Sequence, residues 1–536
     1  MSLSYVAGDP ASKPIDVLVV GAGPTGLTAA LEARRLGMSV RIVDRRPVRL
    51  RRSKALVVHA RTMEVFDSLG IAAQVRERGA VFRAMNLHGS AGAAGRVDLE
   101  ALSWGDTDFP FWLTVPQHDT EQVLEEALVT AGSSIEWGTV FRGLRQGPDA
   151  VMAHLQTQED TCAVRARWVV GADGGRSSVR DAIGGHMARH DADATFMLAD
   201  AFTTCELPED EGHFFIHPDG FLVIVPMPEP RQWRIIAHLP RHEAAGPVPI
   251  DAAFLDALIA DRASVQFGAH DVGWTSRFDL THGVSDLTRR GRVFLAGDAA
   301  HVHSPVGGQG LNTGVQDAHA LIWRLAAANA VDEATREALL DSFAIERRQV
   351  AEAMVGNVRR ATALLTGRST LARRVVGSIA PRILPRTKWR QALARPLAGL
   401  QMQYRDSPLT VAGGGARPVN AAAVGGGTVL GRLEFGTWTW IAHENVADGP
   451  WRGLPVVRAA SGEGPRVQLL RPDGYIAASG DDPVSVWAAL TQHPVLAALV
   501  RPHAAGLRQG ASAQGKLTTV RASGRASCRG PGSGSS

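Results

Sequence analysis

Residues 289–325 read RRGRVFLAGDAAHVHSPVGGQGLNTGVQDAHALIWRL, and this stretch decides how the rest of the chain is read. Its start, 292–296, is a short apolar run of the kind that forms a buried strand, and it stops at Gly297. Asp298 stands just past that strand end, where a parallel sheet presents its ligand-binding groups. Pro305 stiffens the following turn. Gly307, Gly308 and Gly310 take away side chains, so that backbone can approach something flat. A helix is expected from about Leu311, because Leu311, Val315, Ala318, Leu321, Ile322 and Leu325 recur at helical spacing. Its N-terminus points back at the glycines, and its free N–H groups and positive dipole end would stabilise negative charge there.

Upstream, 15–20 has the pattern of a buried parallel strand, and Gly21-Ala22-Gly23-Pro24-Thr25-Gly26 follows at once. A helix is expected to about Leu36, then a strand over 40–43 that ends at Asp44. This is G-x-G-x-x-G in its required setting: strand, glycine turn, helix, strand and an acid about 20 residues on. The glycines admit a pyrophosphate to the helix N-terminus, and Asp44 can accept from a ribose hydroxyl. The next loop carries Arg45, Arg46, Arg49, Arg51, Arg52 and Lys54, which reads either as a solvated loop or as a docking surface for dinucleotide phosphates.

Further on, Gln117 opens a helix, 135–168 alternates like antiparallel strands, and 168–170 forms a short buried strand. That strand is closed by Gly171-Ala172-Asp173-Gly174-Gly175-Arg176-Ser177-Ser178-Val179-Arg180, a plausible phosphate or ribose contact. Alternating strands recur through 195–280, which reads as an antiparallel sheet inserted between two pieces of the first domain. Residues 330–400 are helical in pattern, 413–427 with its six glycines reads as a linker, and a small α/β domain follows.

Composition bounds the answer. A chain of 536 residues, 45% hydrophobic, is long enough for several domains and a large core. Cys162, Cys205 and Cys528 lie too far apart in sequence for a disulfide framework and fit a reducing compartment. No apolar run reaches about 18 residues, and the first 14 residues lack a signal-peptide core, so no membrane span and a cytoplasmic location are expected. Net charge is +4, but 356–405 holds eleven basic residues and no acidic one. The plain reading of that block is a solvated helical face; the alternatives are steering of an anionic substrate or NADPH, or an acidic partner. Without aromatic interleaving, nucleic-acid binding is not expected.

Three signatures stand in order: 21–26, 171–180, and Gly297 through Gly314 followed by Gln316-Asp317. Together they resemble the single-component FAD-dependent aromatic hydroxylases, the group that includes para-hydroxybenzoate hydroxylase. The resemblance covers about residues 14–400. The C-terminal segment Leu470-Arg471-Pro472-Asp473-Gly474-Tyr475 is similar to the thioredoxin-like extension of the phenol hydroxylase and polyketide hydroxylase branch.

The resemblance implies an α/β fold: a Rossmann-type FAD-binding domain (1–185 and 281–405), an inserted antiparallel-sheet substrate domain (186–280) and a thioredoxin-like domain without C-x-x-C (406–503). Residues 504–536 are expected to be a disordered tail. It implies FAD and NADPH (or NADH) as cofactors. Gly21, Gly23 and Gly26 would hold the pyrophosphate, Asp44 the adenosine ribose, and Gln117 the ribityl or phosphate region. Arg45 and Arg46 would contact FAD or NADPH, and Asp173 belongs to a motif linked to both. Asp298 would bind the ribityl chain, Pro305 would line the space between flavin and substrate, and Gly310, Leu311 and Asn312 would meet the isoalloxazine edge. The family usually has Glu at the ribose position; Asp44 is shorter but keeps the acceptor.

The implied activity is NAD(P)H-driven hydroxylation of a phenolic or polyketide-type aromatic with O2, through a flavin C4a-hydroperoxide. The alternatives are Baeyer–Villiger or epoxidising chemistry, a drug-inactivating resistance hydroxylase, and a flavoprotein that only sequesters an aromatic ligand. The group that activates the substrate is open: only Tyr5, Tyr404 and Tyr475 occur, none in the inserted sheet, which leaves His213, His217 and Arg277 as catalytic candidates beside Pro305. The sheet is apolar (Phe202, Phe214, Phe215, Phe221, Val223, Ile235), which favours a large or neutral aromatic over a small benzoate. His301 and His303 have H-x-H spacing without a third ligand, so no metal is expected. Trp438-Thr439-Trp440-Ile441 is similar to the W-x-W-x-I element of flavin halogenases but reads as core packing. The protein is expected to be a monomer or homodimer.

Overall fold

Val17, Leu18 and Val19 have no exposed surface because Ile15–Val20 is sandwiched in a mainly parallel sheet. On one side Val19 pairs with Ile42 of Val40–Asp44, and on the other with Val170 of Thr161–Gly171. Val293–Leu295 continues the sheet next to Thr161–Gly171. The description, from a computed structural model, covers residues 13–500 apart from 51–54, 90–93, 103, 105–106, 240–248, 304–305, 367–369, 387–397, 405, 412, 448, 452 and 461–463. The expected C-terminal tail lies outside it.

The strand expected over 168–170 is the end of an eleven-residue strand. Its first half pairs antiparallel with Val151–Gln156 and is half-exposed, whereas its second half runs parallel to Ile15–Val20 and is buried on both faces. The change from alternating to continuous apolar residues reports this change of partner. Three strands therefore end together, at Val20, Gly171 and Leu295, and their glycine turns face one edge of the sheet.

The second sheet has eight strands. Met187–Thr203 and Ala269–Ser285 are 17 residues each and pair antiparallel along most of their length. Gln232–Leu239, Gly220–Pro226 and Glu211–His217 follow in space. The sheet is wider than 186–280: Ala84–His88 pairs parallel with Glu211–His217, Ala94–Asp98 forms the edge beyond it, and His301–Val302 closes the opposite edge. One face packs Met197, Ala199, Leu222 and Ile235 under the helix Ala252–Ala263, whose Leu255 and Ile259 are buried. The other face carries Phe196 and Phe221.

Gln309–Ala328 is buried along most of its length and crosses the first helix, Pro24–Arg35. The close approach is made by Thr25, whose Oγ1 stands 2.2 Å from where a Cβ on Gly314 would be and 2.6 Å from one on Gly297. The helix Glu333–Thr366 packs alongside through Leu339, Leu340 and Phe343.

The C-terminal part is a four-stranded sheet with two short helices, Pro483–Gln492 and Pro494–Leu499. Trp438 and Trp440 are in its core. Of residues 413–427, expected to be a linker, the 413–415 end is packed against the sheet, while 424–427 are exposed. Gly415 N–H donates to the Ile476 carbonyl at 2.7 Å, and a Cβ on Gly413 would lie 2.3 Å from Ser479 Oγ. Gly413 and Gly414 are there for close approach, whereas Gly425, Gly426 and Gly427 are exposed and take positive φ in a turn, a difference composition alone does not show. A buried ion cluster ties this part to the helices: Arg471 donates to Glu346 at 2.7 and 2.9 Å, and Arg324 reaches the same carboxylate at 2.6 Å. Arg61 Nη2 adds a bond to the Asp473 carbonyl at 2.8 Å.

Candidate active site

Where the three strands end, a cavity of about 1150 Å³ runs between the two sheets. The fingerprint glycines divide their work. A Cβ on Gly21, at φ +107°, would lie 2.3 Å from the Ala172 carbonyl oxygen, and one on Gly26 would lie 1.9 Å from that of Gly21. These two let backbone meet backbone. Gly23 has no protein atom within 4 Å of its Cβ position and lines the cavity. It also caps Pro24–Arg35 without any side-chain hydrogen bond, so the helix presents unsatisfied N–H groups to the cavity.

Asp44 lines the cavity with its carboxylate already engaged. It accepts from the Ala22 amide and the Arg46 amide, both at 2.8 Å, and from Arg46 Nε at 3.0 Å. Burial works against its charge, but the Arg46 guanidinium and these amides hold the carboxyl below the usual aspartate value. Arg45 lines the cavity and also a depression of about 320 Å³ beside it, with Arg176 and Arg189. Gln117 donates to Glu121 Oε1 at 2.8 Å, and burial pushes the Glu121 carboxyl up. Asp173 braces its own loop, accepting from Ser178 Oγ at 3.0 Å and the Val179 amide at 3.2 Å.

Past Val293–Leu295 the chain turns at Gly297, φ +62°, and Asp298 faces the cavity. Gly307 and Gly308 also take positive φ, +79° and +63°, and Gly308 caps Gln309–Ala328 without a side-chain bond. Gly310 and Leu311 of its first turn line the cavity. Asn312 does not reach it by its side chain. Its Oδ1 accepts from His59 N–H at 2.9 Å, and its Nδ2 donates to the carbonyls of Val57 and Gly308 at 2.9 and 2.7 Å. It staples the neighbouring strand to the glycine turn. Pro305 lies outside the described residues.

The far end of the cavity is walled by the sheet. Phe196 meets Phe221 at 5.3 Å between centroids, Phe214 stacks on Phe221 at 5.5 Å, and Phe278 lies 6.2 Å from Phe196. Val223 and Ile236 complete this wall. Strand alternation takes the expected polar candidates to the other side. Phe214 and Phe278 point in, so His213, His217 and Arg277 point out, and none of the three lines the cavity. His213 instead meets His88 at 3.2 Å, and burial with that second imidazole drives its pKa down to about 4. His217 accepts from the Asp219 amide at 3.2 Å.

Other cavity residues went unread in the sequence. Met85 and Trp112 come from strands far away in the chain, and nothing local marks them. His303 and Thr281 also face the cavity. His303, singled out only for its spacing to His301, stands 3.7 Å from the Cβ position of Gly310, at the start of the helix. Among the described residues no three His, Cys, Asp or Glu side chains gather as metal ligands, and no helix is long and apolar enough to cross a membrane.

A parallel sheet with two uncapped helix N-termini at one cavity, and an apolar sheet closing it, defines the dinucleotide-dependent oxidoreductases. The cradle fits FAD: Gly23 leaves its space to a ligand, and the cavity exceeds the roughly 300–1,000 Å³ of ordinary small-molecule sites. Comparison makes this specific. Residues 14–358 match the family described as FAD binding domain, and the chain belongs to that family. It is 33% identical to 6-methylpretetramide 4-monooxygenase of Streptomyces rimosus over 87% of this chain and 90% of that protein. It is 36% identical to rifampicin monooxygenase of Streptomyces venezuelae over 66% of this chain and 72% of that protein. Among solved structures, anhydrotetracycline hydroxylase from Streptomyces rimosus superposes with a TM-score of 0.72 at 29% identity, covering 90% of this chain and 98% of that one. The protein is an FAD-dependent aromatic monooxygenase driven by NAD(P)H.

Proposed function

We propose that the substrate is a fused-ring, polyketide-type aromatic. The observation that carries this is the wall of Phe196, Phe214, Phe221 and Phe278 at one end of a 1150 Å³ cavity, where Asp279 is the charged residue beside the phenylalanines and His213, His217 and Arg277 of the same sheet are turned away. Such a wall binds by area. Burying each large apolar group contributes about 1.5–3 kcal/mol, so a multi-ring ligand gains more here than a single charged ring. The similarity to 6-methylpretetramide 4-monooxygenase supports the same class.

When bound, FAD supplies the activation of O2 and the transfer of one oxygen atom to the ring. The chain's own residues do the rest. Gly23 and the N-terminus of Pro24–Arg35 take the pyrophosphate, and Asp44, fixed by Arg46, offers an acceptor to the adenosine ribose. Gln117 and Asp298, which line the cavity, would hold the ribityl region. The N-terminus of Gln309–Ala328, opened by Gly308 and Gly310, stabilises negative charge at the ring edge. With His213, His217 and Arg277 on the outer face, His303 is the side chain placed to meet a phenolic oxygen near that ring edge. The phenylalanine wall excludes water from the reacting centre.

The test is a panel of aromatic compounds scored by stimulated NADPH oxidation and product mass. Fused-ring phenols should stimulate oxidation and gain one oxygen from 18O2, and simple benzoates should not. Stimulation by benzoates alone would overturn the substrate class. A second reading, inactivation of an aromatic drug at the same site, is favoured by the 36% identity to rifampicin monooxygenase, so rifampicin belongs in the panel.

A further inference from the structure

Two of the chain's three tyrosines, Tyr404 and Tyr475, pack against each other in a tilted pair, 4.5 Å between centroids and 54° between planes. The Tyr404 hydroxyl accepts from Arg347 Nη1 at 2.8 Å, and Arg347 Nε donates to Asp317 at 2.6 Å. The other Asp317 oxygen accepts the Gly297 amide at 2.9 Å and bonds His301 Nε2 at 2.7 Å. The residue after Gly297 is Asp298, which lines the cavity. Tyr404, Arg347, Asp317 and His301 are all 1–2% exposed. An unbroken run of hydrogen bonds thus joins the start of the C-terminal part to the turn that faces the cofactor.

The run is mechanically tight. A carboxylate this buried stays charged only while the guanidinium is beside it; burial opposes its charge, yet Arg347 and His301 hold Asp317 down to about 2. Arg347 is fixed in turn by Tyr404 and, more weakly, by the Thr313 carbonyl at 3.4 Å and Met402 Sδ at 3.2 Å. Tyr404 hangs on the C-terminal sheet, because its amide donates to the Gly415 carbonyl, and the Gly415 amide to that of Ile476, both at 2.7 Å. At the other end the Gly297 turn packs close to the first helix, with Thr25 Oγ1 2.6 Å from where a Cβ on Gly297 would be. Asp317 thus holds the backbone amide of the residue immediately before Asp298.

We propose that Tyr404 and Arg347 are positioning residues of the oxygenase site, which act through Asp317 on the Gly297–Asp298 turn and make the C-terminal part a component of flavin binding. This rests on the reading of the cavity as the FAD site. Tyr404→Phe removes one hydroxyl and keeps the ring contact with Tyr475. It should raise the FAD dissociation constant, followed by quenching of flavin fluorescence, roughly tenfold (~1.4 kcal/mol) and alter the visible absorption band of the bound flavin. Arg347→Lys keeps the charge but loses the fork, and should do the same if Tyr404→Phe does not fold. Arg417→Gln is the control: it cuts another tie of the C-terminal part, Arg417 to Glu64, without touching the run.

Unchanged FAD affinity and spectrum in a folded Tyr404→Phe or Arg347→Lys protein would overturn the proposal. An equal loss in Arg417→Gln would also overturn it, because docking in general would then be the cause. A parent protein that binds no FAD would overturn the functional reading itself, and the proposal with it.

Discussion

Gly23→Ala separates the fold from the site. A methyl at this position meets no protein atom within 4 Å, and Gly23 has φ −81°, which alanine adopts without strain. Losing a glycine from the unfolded chain stabilises by about 0.4–1 kcal/mol, and alanine as an N-cap costs a similar amount, so the two nearly cancel. The melting temperature of the FAD-free protein should therefore stay within about 2–4 °C of the parent. The space the methyl enters is where the proposed reading puts the pyrophosphate. Overpacking there costs roughly 1–3 kcal/mol, and at 1.4 kcal/mol per tenfold that is about a 5- to 150-fold loss of FAD affinity. Circular dichroism melts and FAD titration by fluorescence quenching read the two quantities separately. Gly26→Ala is the contrast, because its methyl would sit 1.9 Å from the Gly21 carbonyl oxygen and must unsettle the fold before any ligand arrives. If Gly23→Ala binds FAD as the parent does, the pyrophosphate is not at this turn and the placement of the cofactor is wrong.

Asp298→Ala should weaken FAD retention through gel filtration with little change in melting, since Asp298 is exposed to the cavity; retention equal to the parent would displace that stretch from the site. Phe214→Ala opens the substrate wall, and KM for a fused-ring substrate should rise up to about tenfold with more uncoupled NADPH oxidation. His59 and His213 both titrate near 4 because burial disfavours their charged forms, whereas unfolded histidine titrates near 6.5. The unfolded state thus binds more protons between those values. Stability should be fully present above about pH 6.5 and fall as pH drops toward 4, by up to ~1.4 kcal/mol per unit for the fully buried His59. His213→Asn should flatten a melting-temperature profile over that window; an identical slope would remove His213 as a cause.

The parts legible in the sequence are those where one short segment carries its own constraint. A glycine turn between a strand and a helix can be read because only glycine permits the close approaches at Gly21 and Gly26, and these lie within six residues. The same holds at Gly297 and Gly308, where positive φ and uncapped helix starts are local requirements. The apolar character of the inserted sheet was equally plain from Phe214 and Phe221.

What the sequence could not settle is which face of each strand meets the cavity. A period of two states that His213 and Phe214 lie on opposite faces, but not which face is inside. The helix Ala252–Ala263 decides that by covering the Met197 and Leu222 side, which leaves the phenylalanines to the ligand and turns His213, His217 and Arg277 away. Met85 and Trp112 enter the wall through strand pairings that no local pattern encodes. The same holds for the run from Tyr404 to Gly297: its links span 57, 30 and 20 residues, and only packing brings them within hydrogen-bond reach. Sequence by itself determined the glycine turns at Gly21–Gly26 and Gly297–Gly308, because backbone geometry there is a property of single residues. Tertiary structure decided the phenylalanine wall and the run from Tyr404 to Gly297, because both depend on which surfaces are buried against each other.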